Sequence, residues 1–130
     1  MGLWDKKDIL AFYTPKDENH VSHSLVNLQK TDHFIEVPVN RLQDILRQNG
    51  HSRLDLLKLD IEGAEYVVLQ TILEDGIDIK VICVEYDEAF NPIDDSYKSR
   101  IKSSIDGLLA NNYSLVCVQG IGNYTFVKQC

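Results

Sequence analysis

Proline and cysteine are both scarce in this chain, at three residues each in 130, and no C-x-x-C pair occurs. So few prolines exclude a collagen-like or proline-rich extended chain. Three scattered cysteines are an odd number, which argues against a disulfide framework, and their spacing does not suit a zinc site. No block of basic residues exists either; the nearest, Asp5-Lys6-Lys7-Asp8, is mixed. With 13 basic against 20 acidic residues the net charge is −7, so there is no basic patch to hold a phosphate backbone and no nucleic-acid partner is expected. No run approaches the roughly 18 apolar residues of a membrane span, so no membrane partner is expected. No apolar stretch follows Met1 that would read as a signal peptide. Together with the cysteine usage, this makes the reducing cytoplasm the expected compartment.

What remains is ordinary soluble-protein composition, 44% hydrophobic and 25% charged, at a length that suits one domain. It is short for one particular architecture. A βα unit takes about 30 residues, so a complete six-strand doubly wound sheet needs roughly 180.

Along the chain, Ile9 to Tyr13 reads as a short strand closed by Thr14-Pro15, and the polar stretch 16–32 as a loop. Phe34 to Val39 reads as a second strand, with Pro38 marking its end or a sheet edge. Asn40 and Gln43 form a capping-box pattern before a helix carrying Leu42, Ile45 and Leu46, and Asn49-Gly50 stops it. Leu54 to Ile61 is a nearly continuous apolar run, which predicts a strand buried on both faces. Gly63 to Leu73 has helical spacing and ends at Asp75-Gly76. Ile79 to Tyr86 is a second buried-strand run. Asp94-Asp95-Ser96 offers caps for a helix carrying Tyr97, Ile101, Ile105, Leu108 and Leu109, which ends at Asn111-Asn112. Ser114–Gln119 and Tyr124–Lys128 are joined by Gly120-Ile121-Gly122-Asn123, which predicts an antiparallel hairpin. Strands alternating with helices indicate a mostly parallel α/β sheet with an antiparallel last strand. Cys83 and Cys117 read as small hydrophobes in strand interiors and Cys130 as solvated.

Chemistry-bearing residues concentrate where the run from Leu54 ends in acids and turns into a helix. In open α/β sheets, ligands bind at the carboxyl ends of strands. Asp60 and Glu62 lie at that end, and Glu65 in the first turn of the following helix, where a carboxylate suits the helix dipole. Leu56, Lys58 and Asp60 face one way, and Leu57, Leu59 and Ile61 the other. A lysine in a buried strand needs a partner, and Asp60 is its same-face neighbour. The next strand brings Glu85, then Asp87 and Glu88, to the same end. The expectation is a charged cluster of Lys58, Asp60 and Glu85 at the sheet mouth, set against a purely structural ion pair or solvated rim. His20, His23 and His33 read as loop histidines, and Trp4, Phe12 and Tyr13 as core anchors in preference to a stacking surface.

The run Leu56-Leu57-Lys58-Leu59-Asp60-Ile61-Glu62-Gly63-Ala64-Glu65 resembles the LLKID(V/I)EGAE signature of FkbM-type methyltransferases. The flanks agree. Val37 to Leu46 resembles the V-x-V-x-x-L-D-x-L-L segment before the signature, and Val81 to Glu85 the strand after it. Asn112-Tyr113-Ser114-Leu115 stands where the family has Gly-Tyr, and Glu18 to Leu25 resembles its Ser-rich loop. The resemblance implies a class I, Rossmann-like three-layer sandwich that uses S-adenosylmethionine. It implies methyl transfer to a hydroxyl oxygen of a small molecule or sugar, with the protein supplying positioning and a base. By resemblance Asp60 is the first candidate to orient or deprotonate the acceptor, with Glu62 and Glu85 second. Lys58, Glu65 and Ser24 are candidate acceptor-binding residues. An acidic pair here can alternatively hold a divalent metal; no metal site is assigned.

The family's Gly-rich cofactor loop and the acid ending its second strand are not found. Gly120-x-Gly122 lies in a hairpin, not between a strand and a helix. Met1-Gly2-Leu3 resembles the end of the family's third strand. Residues 1–130 are therefore expected to form a single domain equivalent to the C-terminal portion of the family's domain, without its cofactor half. Such a truncation leaves strand 54–61 at an edge, an aggregation liability. Either strands 9–13 and 34–39 fold over it, or a second copy or partner chain pairs there. The competing reading of the whole is a non-catalytic binding or assembly module built on the same fold.

Overall fold

Two separate mixed sheets carry the chain, in a computed structural model that describes residues 1–15, 23, 25 and 32–130. The first sheet is built from β1 (Gly2–Leu3), β2 (Asp8–Tyr13) and β3 (Phe34–Asn40), in the order β1-β3-β2. β3 runs parallel to β1 and antiparallel to β2. Pro38 thus falls inside the middle strand and not at its end. β1 pairs only with Val39 and Asn40, so at Pro38 the strand has a neighbour on one side alone and is locally an edge, where a missing N–H is tolerated. Most of the expected loop at 16–32, with His20 and Ser24, lies outside the described residues.

The second sheet holds β4 (Arg53–Leu59), β5 (Asp78–Glu85), β6 (Tyr113–Gln119) and β7 (Asn123–Lys128), in the order β4-β5-β7-β6. β4 and β5 are parallel. β7 is antiparallel to both β5 and β6, so β4, β5 and β6 run one way and β7 the other. The β6–β7 hairpin forms as the glycine-rich link predicts. Its Gly122 is required by close approach: an added Cβ would come within 2.5 Å of the Phe90 ring and 3.2 Å of the Tyr86 carbonyl, while the Gly122 carbonyl accepts the Tyr86 N–H at 2.8 Å. That bond docks the hairpin onto the end of β5.

Three helices, α1 (Leu42–Gln48), α2 (Glu65–Glu74) and α3 (Tyr97–Ala110), join the strands. Asn40 does not cap α1. It ends β3, and its Oδ1 accepts the Arg41 N–H at 2.9 Å; Arg41 takes the cap position with no side-chain cap bond. The Arg41 guanidinium instead grips Asp75 at the end of α2 with two bonds of 2.9 Å and donates to the Asp5 carbonyl at 2.9 Å. One side chain so ties the first sheet to α2.

The core lies on one face of the second sheet. Leu59, Ile82, Val84 and Phe126 pack against Val68, Leu69 and Ile72 of α2 and Ile101 and Leu108 of α3, with Leu42 and Leu46 of α1. Leu109, expected in the same stripe, is exposed. Tyr113 donates its buried hydroxyl to the Ile79 carbonyl at 2.8 Å. The opposite face carries Leu56, Lys58, Val81, Cys83, Thr125 and Cys117, matched across the strands, and every one of them is exposed or half-buried. This corrects the expectation that the run from Leu54 is buried on both faces: β4 is an edge strand, and Leu56 is 59% exposed. The same geometry leaves Cys117 exposed and Cys83 half-buried. β2 and β3 pair with each other and form no ladder with β4.

Candidate functional site

The chain leaves β4 at Leu59 and must reverse into α2 within five residues. Glu62 (φ 54°) and Gly63 (φ 102°) make that turn in the left-handed region, which Gly adopts without cost but a residue with a Cβ does not. Glu65 holds it. Its side chain is fully buried, and Oε1 accepts the N–H groups of both Ile61 and Gly63 at 3.1 Å. The third acid of the signature thus acts first on the turn itself.

The turn delivers Asp60 to the mouth of the sheet, partly exposed, with Lys58 Nζ 3.0 Å from its Oδ2. Lys58 is not the buried lysine that the apolar run predicted; its side chain is 59% exposed, because it stands on the sheet face opposite the helix-packed core. A pair this exposed contributes little to stability. The attraction of Asp60, with a smaller one from Glu85, raises the Lys58 pKa, so the ammonium stays charged. Lys58, Asp60 and Glu85 are therefore brought together as expected.

A further acid joins them. β5 ends at Glu85, and after Tyr86 the chain enters a single 3-10 turn, Asp87–Ala89. One carboxylate oxygen from each of Asp60, Glu85 and Asp87 lies within 4.8 Å of the other two. Asp87 is buried, and burial, reinforced by the neighbouring Glu65 carboxyl, pushes its pKa up to about 8. Burial raises Glu65 as well. Two buried carboxyls side by side cannot both ionise cheaply, so one proton is kept between them.

Glu88, the next residue, takes the opposite path. It too is buried, but Arg100 of α3 meets it with two bonds of 2.7 Å and the Ile93 N–H with one of 3.1 Å. The guanidinium holds its carboxyl below the usual range. Two adjacent acids of one turn are thus split, one neutral and one charged, by what each faces.

Asp87 as part of the site and Arg100 as the partner of Glu88 were not legible in the sequence as roles. The only signal was position: acids directly after a buried strand. Ser24, the remaining candidate, lies outside the described residues.

The model of the methyltransferase FkbM domain matches residues 3–113. Neither a curated protein nor a solved structure matches the chain. The match spans the signature turn, both parallel strands and the acids at their ends, and the chain belongs to the FkbM methyltransferase domain family.

Proposed function

We propose that the chain acts in S-adenosylmethionine-dependent methyl transfer to a hydroxyl oxygen of a small molecule or sugar, and that its strand ends form the acceptor side of the site. The observation that carries this is the position of Asp60: within the family's signature, at the carboxyl end of a parallel strand, accessible, and grouped with Glu85. An accessible carboxylate there can accept a hydrogen bond from the acceptor hydroxyl and take its proton as the oxygen is alkylated. Glu65 fixes the turn next to Asp60, and the Lys58 ammonium lies 3.0 Å from the Asp60 Oδ2. Glu62 and Glu85 are the second candidates for orienting the acceptor.

S-adenosylmethionine would supply the electrophilic methyl group. Among the described residues no Gly-rich turn links a strand to a helix to cradle it: Gly120 and Gly122 belong to the β6–β7 hairpin, and Gly63 stands alone in its turn. These residues do not by themselves fit the cofactor. Calorimetric titration of S-adenosylmethionine into the chain is expected to give weak or no binding. Tight binding would overturn the division into acceptor and cofactor sides. Incorporation of labelled methyl groups into a panel of sugars and small alcohols tests the activity, and a panel of non-hydroxyl acceptors methylated instead would overturn the O-methyl assignment.

The second reading, a binding or assembly module, is favoured by one observation. β4 is an edge strand, and among the described residues no strand pairs with its free side, while Leu56 beside it is largely exposed. A second copy or a partner chain pairing there is the oligomer this reading requires.

A further inference from the structure

We propose that the cavity between α3 and the β6–β7 hairpin binds an amphiphilic anion, a carboxylate carried on an apolar tail. The cavity opens at the same end of the four-stranded sheet as Asp60, but on the face that carries the helices. Glu85 is paired with Asn123 on the open face, and the next residue, Tyr124, points to the helix side because successive strand residues alternate. The inference therefore needs neither the acids of the sheet mouth nor the methyl-transfer reading.

Shape is the first support. The cavity has a volume of about 500 Å³, within the range of about 300–1,000 Å³ that small-molecule sites occupy. Buried Ile101 and half-buried Ile105 and Tyr124 line it. Ile121, in the hairpin link, lines it too and is 64% exposed. Covering that side chain with an apolar tail removes apolar surface from water. Both walls are set in advance. The Tyr86 N–H docks the hairpin through the Gly122 carbonyl, the Tyr124 ring meets Tyr86 edge to face at 5.5 Å, and Ile101 anchors α3 in the core. A preformed site needs little ordering on binding.

Charge is the second support and is independent of shape. Lys98 and Lys102 stand one turn apart on α3, both exposed, and both line the cavity. No acidic residue among the described residues lines it, in a chain of net charge −7. Among the described residues no carboxylate pairs with Lys98, whose ammonium lies 5.8 Å from the centroid of the Tyr97 ring. Lys102 meets Asp106 at 2.6 Å, but both side chains are exposed. A pair of that kind contributes little, so a ligand carboxylate can compete for the ammonium. An apolar hollow with two cations at its rim and no acid complements a ligand with one apolar and one anionic end.

The test is calorimetric titration of the whole chain with decanoate, below the concentration at which it forms micelles. Saturable binding of one equivalent is expected, with affinity rising about fourfold per methylene from octanoate to decanoate. Decyltrimethylammonium, the same tail with the opposite charge, should bind about tenfold more weakly or worse. Ile121→Glu, at an exposed hairpin position, and Lys98→Glu, on the outside of α3, should each weaken decanoate binding about tenfold with the unfolding midpoint unchanged. Lys7→Glu makes the same charge change away from the cavity and should leave binding as it was. No saturable uptake of decanoate, equal binding of the two amphiphiles, or equal binding by the Ile121→Glu and Lys7→Glu proteins would overturn the site. Sedimentation with phosphatidylglycerol vesicles in place of decanoate binding would overturn it too, and would assign the lysines to a membrane surface. Each of these results would leave the methyl-transfer reading standing, since the titrations contain no methyl donor and leave Asp60 untouched.

Discussion

Glu65 and Asp87 hold two carboxyl groups together beneath the sheet mouth, one from the first turn of α2 and one from the turn after β5. Their proximity makes stability depend on pH in a definite direction. Unfolded, Asp87 loses its proton near the ordinary value of about 3.9; folded, it keeps the proton to about 8. Between those values the native state binds more protons than the unfolded one, so stability falls as pH rises. The contribution is present in full below the ordinary carboxylate pKa and is lost as pH passes through about 8. Urea unfolding between pH 5 and pH 9 should show midpoints that decline with pH. In Asp87→Asn, which keeps the shape without the titration, the decline should flatten. An unchanged slope in that variant would place the titrating group elsewhere.

The Tyr113 hydroxyl, donated to the Ile79 carbonyl inside the core, ties β6 to the start of β5, two strands that are not neighbours in the sheet. Tyr113→Phe removes one buried bond and is expected to cost about 1 kcal/mol. Phe126→Ala, at a fully buried position of the strand between them, should cost about 3–5 kcal/mol through the cavity it leaves. Denaturant midpoints with unchanged slopes check both.

Much of this layout is legible in the residues. The alternation along β4 places Leu56 and Lys58 on one face and Leu57 and Leu59 on the other, and the structure keeps that parity. What the alternation does not carry is which face is covered. An apolar run reads the same whether its second face meets a helix or solvent, so Leu56 and Lys58 were expected inside and lie outside. Asn40 failed as a cap for a similar reason: pairing with Leu3 of β1 draws β3 on to residue 40, and strand pairing outweighs a local capping preference. The strand order placed Asp87 at the right end of the sheet, but its pairing with Glu65, 22 residues away, needed the third dimension, because only the return of β5 beside β4 brings the two together.

The open side of β4 makes its own prediction. Leu56 lies on the uncovered face of an edge strand, and natural edges of this kind are commonly guarded by charge. Light scattering on the chain should give a mass above that of one copy. Leu56→Lys should shift it toward the monomer with little change in the unfolding midpoint, since Leu56 contributes nothing to the core. A monomeric parent chain would remove the self-association reading of this edge.

Asp60 and Glu62, two of the candidate acids of the strand ends, should separate by kinetics once an acceptor is in hand. Asp60→Asn removes the accessible carboxylate and its basicity while keeping its shape. If Asp60 takes the acceptor proton, kcat should drop by about 10²–10⁴-fold, with a smaller effect on KM. Asp60→Glu should recover part of the rate, because it restores a base at a displaced position. The Glu62→Gln change acts on a residue in the left-handed turn that is offered only as a second choice, and it should lower kcat less. Glu65→Gln is the informative control: an amide oxygen can still accept the Ile61 and Gly63 N–H groups, so the turn should survive. Activity in that variant should fall far less than in Asp60→Asn. Equal losses in the two would mean that the turn's geometry, and not the Asp60 carboxylate, limits the reaction.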